Sequence, residues 1–196
     1  LWRAAHEAKT DNNIRLLDHN PEAALLDLGC DDGHLTIRYA QKLATRNVLG
    51  MEIDPDRAAL AEKRGVSVTV ADLSCPLPYA DSSIDVLVAS QVIEHLHDTT
   101  FFLDEIHRVL KTGGYAVIST ENASSWHNIF ALMLGWQMFS LTNICHRKGG
   151  IGNPFAIHRG EAGHAAKGME HCRIYSYLGL IEHIECMGLK VESILA

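Results

Sequence analysis

The chain has 196 residues, 47% of them hydrophobic and 21% charged, with a formal net charge of −7. That size and balance fit one globular domain with a core of its own. The acidic excess argues against a protein that works by neutralising many nucleic-acid phosphates, and no Lys/Arg run offsets it.

Five cysteines, Cys30, Cys75, Cys145, Cys172 and Cys186, include no C-x-x-C pair. They read as reduced thiols, and cytoplasmic is the expected location. No basic-then-apolar leader opens the chain, and the longest apolar stretch, residues 129–139, is too short to span a bilayer.

Residues 1–19 have helical spacing, with Trp2, Ala5, Ile14 and Leu17 as inward positions. A turn at 18–23 leads to the apolar run "ALLDL", a first strand ended by Gly29. A helix follows over 34–44, then a second strand at 47–51, and Pro55 opens a helix that Gly65 ends. "VSVTVAD" alternates as a third strand, and the nearly continuous apolar run 83–90 is a fourth strand covered on both faces. Residues 100–114 form an amphipathic helix with Phe102, Ile106, Val109 and Leu110 inward, Lys111 near its end and Gly113 as its cap. "YAVIST" is the fifth strand.

Strands alternating with helices predict a doubly wound, mostly parallel α/β sheet with its ligand site at the carboxyl edge. The rhythm breaks between 121 and 171, a stretch rich in Gly, His and aromatics. A helix over 175–188 and a strand over 189–195 are expected to close the chain. The expected organisation is a single domain, 1–196, with a ligand-binding core at 22–120 and an acceptor-side insertion or lid at 121–171.

The turn "LGCDDG" has glycines at Gly29 and Gly33, a G-x-x-x-G spacing and not the G-x-G-x-x-G of a dinucleotide fold. Asp31 and Asp32 lie in it, with Asp27 behind. A pyrophosphate there would meet like charges at a cost of at least roughly 1 kcal/mol. A nucleoside carrying cations in place of phosphate suits the turn better.

These segments resemble the class I S-adenosylmethionine-dependent methyltransferases, of the small-molecule group that includes the ubiquinone-biosynthesis enzymes. "LLDLGCDDG" is similar to the family's first motif, "VLGMEIDP" to its second and "VADLSCPLPYADSSIDVLVASQVIEHL" to its third. "LDEIHRVLKTGGYAVIST" is similar to the helix and strand that close the pattern.

The resemblance implies S-adenosyl-L-methionine as cofactor, held by Asp27, Gly29, Cys30, Asp31, Gly33, Glu52, Ile53, Asp72, Leu73 and Ser90. Glu52 would take both ribose hydroxyls, and Asp72 with the Leu73 amide the adenine. Gly29 would let the cofactor approach the backbone, and Gly33 would pack helix against strand. Asp31 replaces a customary glycine, and aspartate tolerates left-handed angles better than most residues. The family's sheet usually ends with two more strands, and this chain offers one.

Asp27 divides between holding the cofactor's methionine end and tying its own turn, while Asp54 reads as a helix cap. In "QVIEHLHD" a family glutamate is replaced by Gln91. That leaves Glu94 and His95 as adjacent groups, a poor metal site alone, so no metal is expected. Gln91, Glu94, His95, Trp126, Arg173 and Tyr175 are the expected acceptor-side residues.

Trp126, Phe130 and Leu134 fall at helical spacing, as a helix packed on the domain or a hydrophobic cover over an apolar or lipid-linked small-molecule acceptor. His146, His158, His164 and His171 fit no zinc spacing. Methyl transfer is an in-line displacement in which the protein aligns the reactants. His127 and His171 are the candidate bases. Two other readings stay open: a domain that binds the cofactor or its demethylated product without turnover, and an NAD-binding oxidoreductase. The acidic turn and the lack of a Tyr-x-x-x-Lys pair oppose the second.

Overall fold

The computed structural model describes residues 10–145, 147–156, 159 and 170–195. Its strands are β1 (Leu25–Leu28), β2 (Val48–Glu52), β3 (Ser67–Val70), β4 (Ile84–Ser90) and β5 (Leu110–Ser119). They form one sheet in the order β3-β2-β1-β4-β5, and every pairing is parallel. The helices are α1 (His34–Leu43), α2 (Pro55–Lys63), α3 (Thr99–Val109), α4 (Trp126–Met133) and α5 (Tyr177–Cys186). The chain winds outward from β1 to β3, then returns to lay β4 on the other side of β1. That reversal opens a crevice at the carboxyl ends of β1 and β4.

Continuous apolar runs in β1 and β4 follow from burial on both faces. Leu26, Leu28, Leu87 and Ala89 join Phe102, Leu103 and Ile106 of α3 in one cluster. Leu25, Val86 and Val88 join Tyr39 and Leu43 of α1 in the other. At the start of α2 the Asp54 carboxylate accepts the N–H groups of Asp56 and Arg57 at 2.8 and 3.3 Å, with Pro55 in the first turn.

Three expectations are corrected. First, the helix expected over 100–114 stops at Val109, and β5 begins at Leu110. Leu110 pairs with Ile84, a bulge intervenes, and Tyr115 pairs with Val86. Lys111 therefore lies in the sheet, 2.7 Å from Asp85, and Gly113 caps no helix. Ladder pairing outweighed the helical period there. Second, residues 189–195 form no strand; Leu189 packs on the core with Leu180 and Ile184 of α5. The described residues thus hold five strands.

Third, Gly33 serves a helix–helix contact: a Cβ at this residue would lie 2.8 Å from Ala61 of α2. Trp2 and Ala5 lie outside the described residues, whereas Leu17 is buried as expected.

Gly33 also has φ 76°, a left-handed conformation. With both strain and overlap against a rigid backbone, Gly33→Ala should destabilise the fold by about 3 kcal/mol. Urea unfolding would measure this, and a loss near zero would contradict the packing assignment.

Candidate functional site

The first turn is organised by one carboxylate. Glu52, the last residue of β2, accepts the Asp31 N–H through Oε2 at 2.9 Å. Its Oε1 accepts the N–H groups of Ile53 and Asp54 at 2.9 and 3.0 Å. It therefore ties the β1 turn to the start of α2. Asp31 takes φ 50°, the left-handed conformation its side chain tolerates. Gly29 has φ 74°, and a Cβ there would meet Val92 at 2.9 Å.

The acidic pair does not stand open to a ligand. Both Asp31 carboxylate oxygens accept from the Arg57 guanidinium. Arg64 binds the Asp32 carboxylate at 2.9 Å, which holds Asp32 below the usual carboxylate range. The electrostatic preference for a cationic nucleoside, read from the sequence, is thus largely offset by two arginines of α2 and its end.

Behind the turn, Asp27 is buried and accepts the Thr36 hydroxyl at 2.6 Å. Burial pushes its carboxyl up to about 7, Thr36 pulls it back, and the Glu52 charge adds to the rise. The Cys30 thiol is pushed up to about 12 by burial, then by Asp27 and Glu52. Gly50 makes room for it, since a Cβ at Gly50 would lie 2.7 Å from its Sγ.

The remaining residues expected to hold the cofactor stand along the same edge. Ile53 is exposed beyond β2, and Leu73 packs on the core beyond β3. The Asp72 carboxylate accepts the Ser74 N–H at 2.8 Å. The Ser90 hydroxyl lies 3.1 Å from that of Ser119, and the Asn13 amide donates to both, at 3.0 and 3.2 Å. Gln91 follows with φ 57°, its N–H donating to the Ser119 carbonyl at 2.8 Å.

Of the residues expected on the acceptor side, the structure brings Glu94 and His95 together with His171, the potential ligand atoms of all three lying within 4.8 Å of one another. Glu94 is buried; its Oε2 accepts the Thr120 hydroxyl at 2.9 Å, while its Oε1 has no hydrogen-bond partner. Burial raises the Glu94 carboxyl, with Thr120 and His171 opposing. His171 Nδ1 sits 2.6 Å from the Ser140 carbonyl and His95 Nδ1 3.2 Å from that of Glu170. A neutral ring donating from Nδ1 presents Nε2 as its acceptor or ligand nitrogen. The third ligand that Glu94 and His95 lack in the sequence is supplied by His171. Such a set can receive a divalent cation or the N–H or O–H of a bound molecule.

Arg173 and Tyr175 hold the returning chain. The Cys172 and Arg173 N–H groups donate to the Glu94 carbonyl at 2.8 and 3.2 Å, and the Arg173 guanidinium donates to the His97 carbonyl. The Tyr175 hydroxyl lies 3.0 Å from His183 Nδ1, and its backbone bridges to Asn122. Trp126 and His127 belong to α4, apart from the contacts of the cluster. Trp126 is 86% exposed, and His127 stacks edge-on against Phe139. Helix α4 packs through Asn128 and Ala131, and the expected packing face of Trp126, Phe130 and Leu134 is instead exposed. His146, His158 and His164 lie outside the described residues.

Sequence reasoning missed Thr120, Asn13, Val92 and Arg57. Only Thr120, at the end of an apolar strand, carried a positional hint.

A family model described as "Methyltransferase domain" matches residues 26–118. A relative in Mycolicibacterium smegmatis named "Probable S-adenosylmethionine-dependent methyltransferase" is 36% identical over 99 residues, 50% of this chain and 38% of that protein. The chain therefore spans well under half the length of that relative. A Thermotoga maritima structure, described as an S-adenosylmethionine-dependent methyltransferase and possible histamine N-methyltransferase, superposes with TM-score 0.63. It is 22% identical, and the match covers 95% of this chain and 71% of that one. The [4+2]-cyclase SpnF superposes with TM-score 0.61 at 21% identity, covering 95% of this chain and 58% of that one. The fold is common to these proteins.

The perturbed Asp27 makes stability depend on pH. Its proton is held to about pH 7 in the folded chain and lost near pH 4 in the unfolded one. This group therefore destabilises the fold progressively as pH rises through that window. Asp27→Asn cannot ionise and should gain on the parent by up to ~4 kcal/mol between about pH 4 and about pH 8. Denaturant melts at both ends of the window would show it; a constant difference would contradict it.

Proposed function

We propose that this chain, which resembles S-adenosylmethionine-dependent methyltransferases over residues 26–118, transfers a methyl group from S-adenosylmethionine to a small-molecule acceptor held against Glu94, His95 and His171. The carrying observation is the buried Glu94 oxygen without a partner, beside two imidazoles at the carboxyl edge of the sheet. Such an oxygen is costly unless a bound group completes it.

The chain's residues fit the cofactor. The first turn is left-handed at Gly29, Asp31 and Gly33, a conformation that suits a ligand approaching the backbone closely. Glu52 already accepts three N–H groups. With about four acceptor positions on a carboxylate, it would take one ribose hydroxyl directly, and the second only by releasing an amide. Asp72 and the Leu73 N–H would meet the adenine beyond β3. The cofactor, when bound, supplies the electrophilic methyl group.

Val92 packs against Gly29, so the cluster that begins at Glu94 is joined to the first turn by one short segment. Glu94 would accept the acceptor's N–H or O–H, and His171 would take up the proton released as the methyl bond forms. The chemistry asked of the protein is alignment and proton acceptance. A domain that only retains the cofactor would have no use for the orphaned Glu94 oxygen, which is why turnover is preferred.

Calorimetric titration should show binding of S-adenosylmethionine and its demethylated product, and not of NAD. Absence of the first two would sink the reading. Glu52→Ala should weaken binding about thirtyfold, the loss of a hydrogen bond to a charged group together with the turn it braces. Glu94→Gln should leave cofactor affinity within about twofold yet slow transfer about a hundredfold in an acceptor screen. Full activity in that variant would remove Glu94 from the site.

A further inference from the structure

Helix α4 is turned inside out relative to an ordinary surface helix. Its buried positions are a small residue and an amide, Ala131 and Asn128, and Asn128 Nδ2 donates to the Asn122 carbonyl and the Ser140 hydroxyl, each at 2.9 Å. Its large apolar side chains face out: Trp126 is 86% exposed, Met133 79% and Phe130 58%. With Ile129 they form a stripe at i, i+3, i+4 and i+7, flanked by exposed Leu132 and Leu134. A contiguous exposed patch of this kind marks a docking face.

The patch continues past the end of the helix. Trp136 packs on the exposed ring of Phe155 with centroids 5.3 Å apart, and the Gln137 N–H donates to the Gly152 carbonyl at 3.0 Å. This seats the end of α4 beside a cavity of about 360 Å³ lined by Lys148, Ile151, Pro154 and Arg159. Charge is segregated there. Residues 122–160 contain no Asp or Glu but carry Arg147, Lys148 and Arg159, in a chain of net charge −7.

We propose that the outward face of α4 and the cationic hollow beside it seat the protein on an anionic phospholipid bilayer. The observations favour this occupant on charge. In a chain of net negative charge, this acid-free segment with its three basic residues favours approach to an anionic surface through this face. The apolar stripe, with Trp126 at one end, inserts at the headgroup boundary, and Lys148 and Arg159 meet lipid phosphates. No helix among the described residues is long and apolar enough to cross a membrane, so the contact lies in the interface plane. The proposal goes beyond methyl transfer and does not depend on it.

Flotation of the full chain with phosphatidylcholine vesicles, with and without equimolar phosphatidylglycerol, tests this. The parent chain should float with the anionic vesicles, at about tenfold less lipid than neutral ones require, and added salt should weaken binding. The triple variant Trp126→Ser, Phe130→Ser, Met133→Ser should need about tenfold more anionic lipid. Lys148→Glu with Arg159→Glu should abolish the preference for anionic vesicles; these exposed positions carry the test if the triple variant fails to fold.

A parent chain that stays at the bottom with anionic vesicles overturns the proposal. So does a folded triple variant that floats like the parent, or equal binding to both vesicle types. Self-association through α4 without flotation would assign the face to a second copy and also overturn it.

Discussion

One carboxylate, three backbone amides: the Glu52 cluster is the constraint on which the site depends. Parallel strands end with unpaired groups at their carboxyl edge, and the turns there need bonds from elsewhere. Glu52 supplies them by binding the N–H of Asp31 from one turn and those of Ile53 and Asp54 from the next. The left-handed residues around Asp31 are held in place, and α2 starts where Asp54 can cap it. Placement of Arg57 against Asp31 then follows, because Arg57 lies in the first turn of that capped helix.

Charge in the crevice is therefore arranged in layers. The outer acids, Asp31 and Asp32, are matched by arginines at the surface, where each pair is worth little in stability but removes most of the field a ligand would feel. The inner acid, Asp27, has no cation among its described partners; burial and the Glu52 charge raise its carboxyl against the pull of the Thr36 hydroxyl. Glu94 is likewise raised by burial on the other side of the crevice, with Thr120 as its hydroxyl and His171 opposing. Two buried carboxyls, each accepting from a threonine hydroxyl, flank the place where β1 and β4 diverge.

Much of this was legible in the residues. The five strands, the sheet's parallel sense and the cap at Asp54 follow from apolar runs, alternation and Pro55, because each is a local signal. Lys111 to Gly114 misled because their helical continuation is locally acceptable, and only pairing with Ile84 and Asp85, distant in sequence, decides against it. The terminal run Leu189–Leu195 misled for the opposite reason. Its apolar pattern reflects packing, and no strand edge receives it.

At the site, Glu94, His95 and His171 were each visible as candidates, but their convergence was not, since His171 lies more than seventy residues further along the chain. The acidic turn was read as open because nothing in the sequence ties Asp31 to Arg57.

Cys30 carries a consequence for chemistry. Its thiol lies under a turn bordered by Asp27, Asp31 and Glu52, and burial together with those charges pushes its ionisation up to about 12. Thiolate is the nucleophilic form of cysteine, so at neutral pH Cys30 is almost wholly protonated and poorly reactive toward carbon electrophiles. The same acids that shape the crevice thereby keep the Cys30 sulfur in its unreactive thiol form, and the residue can pack as a small hydrophobe.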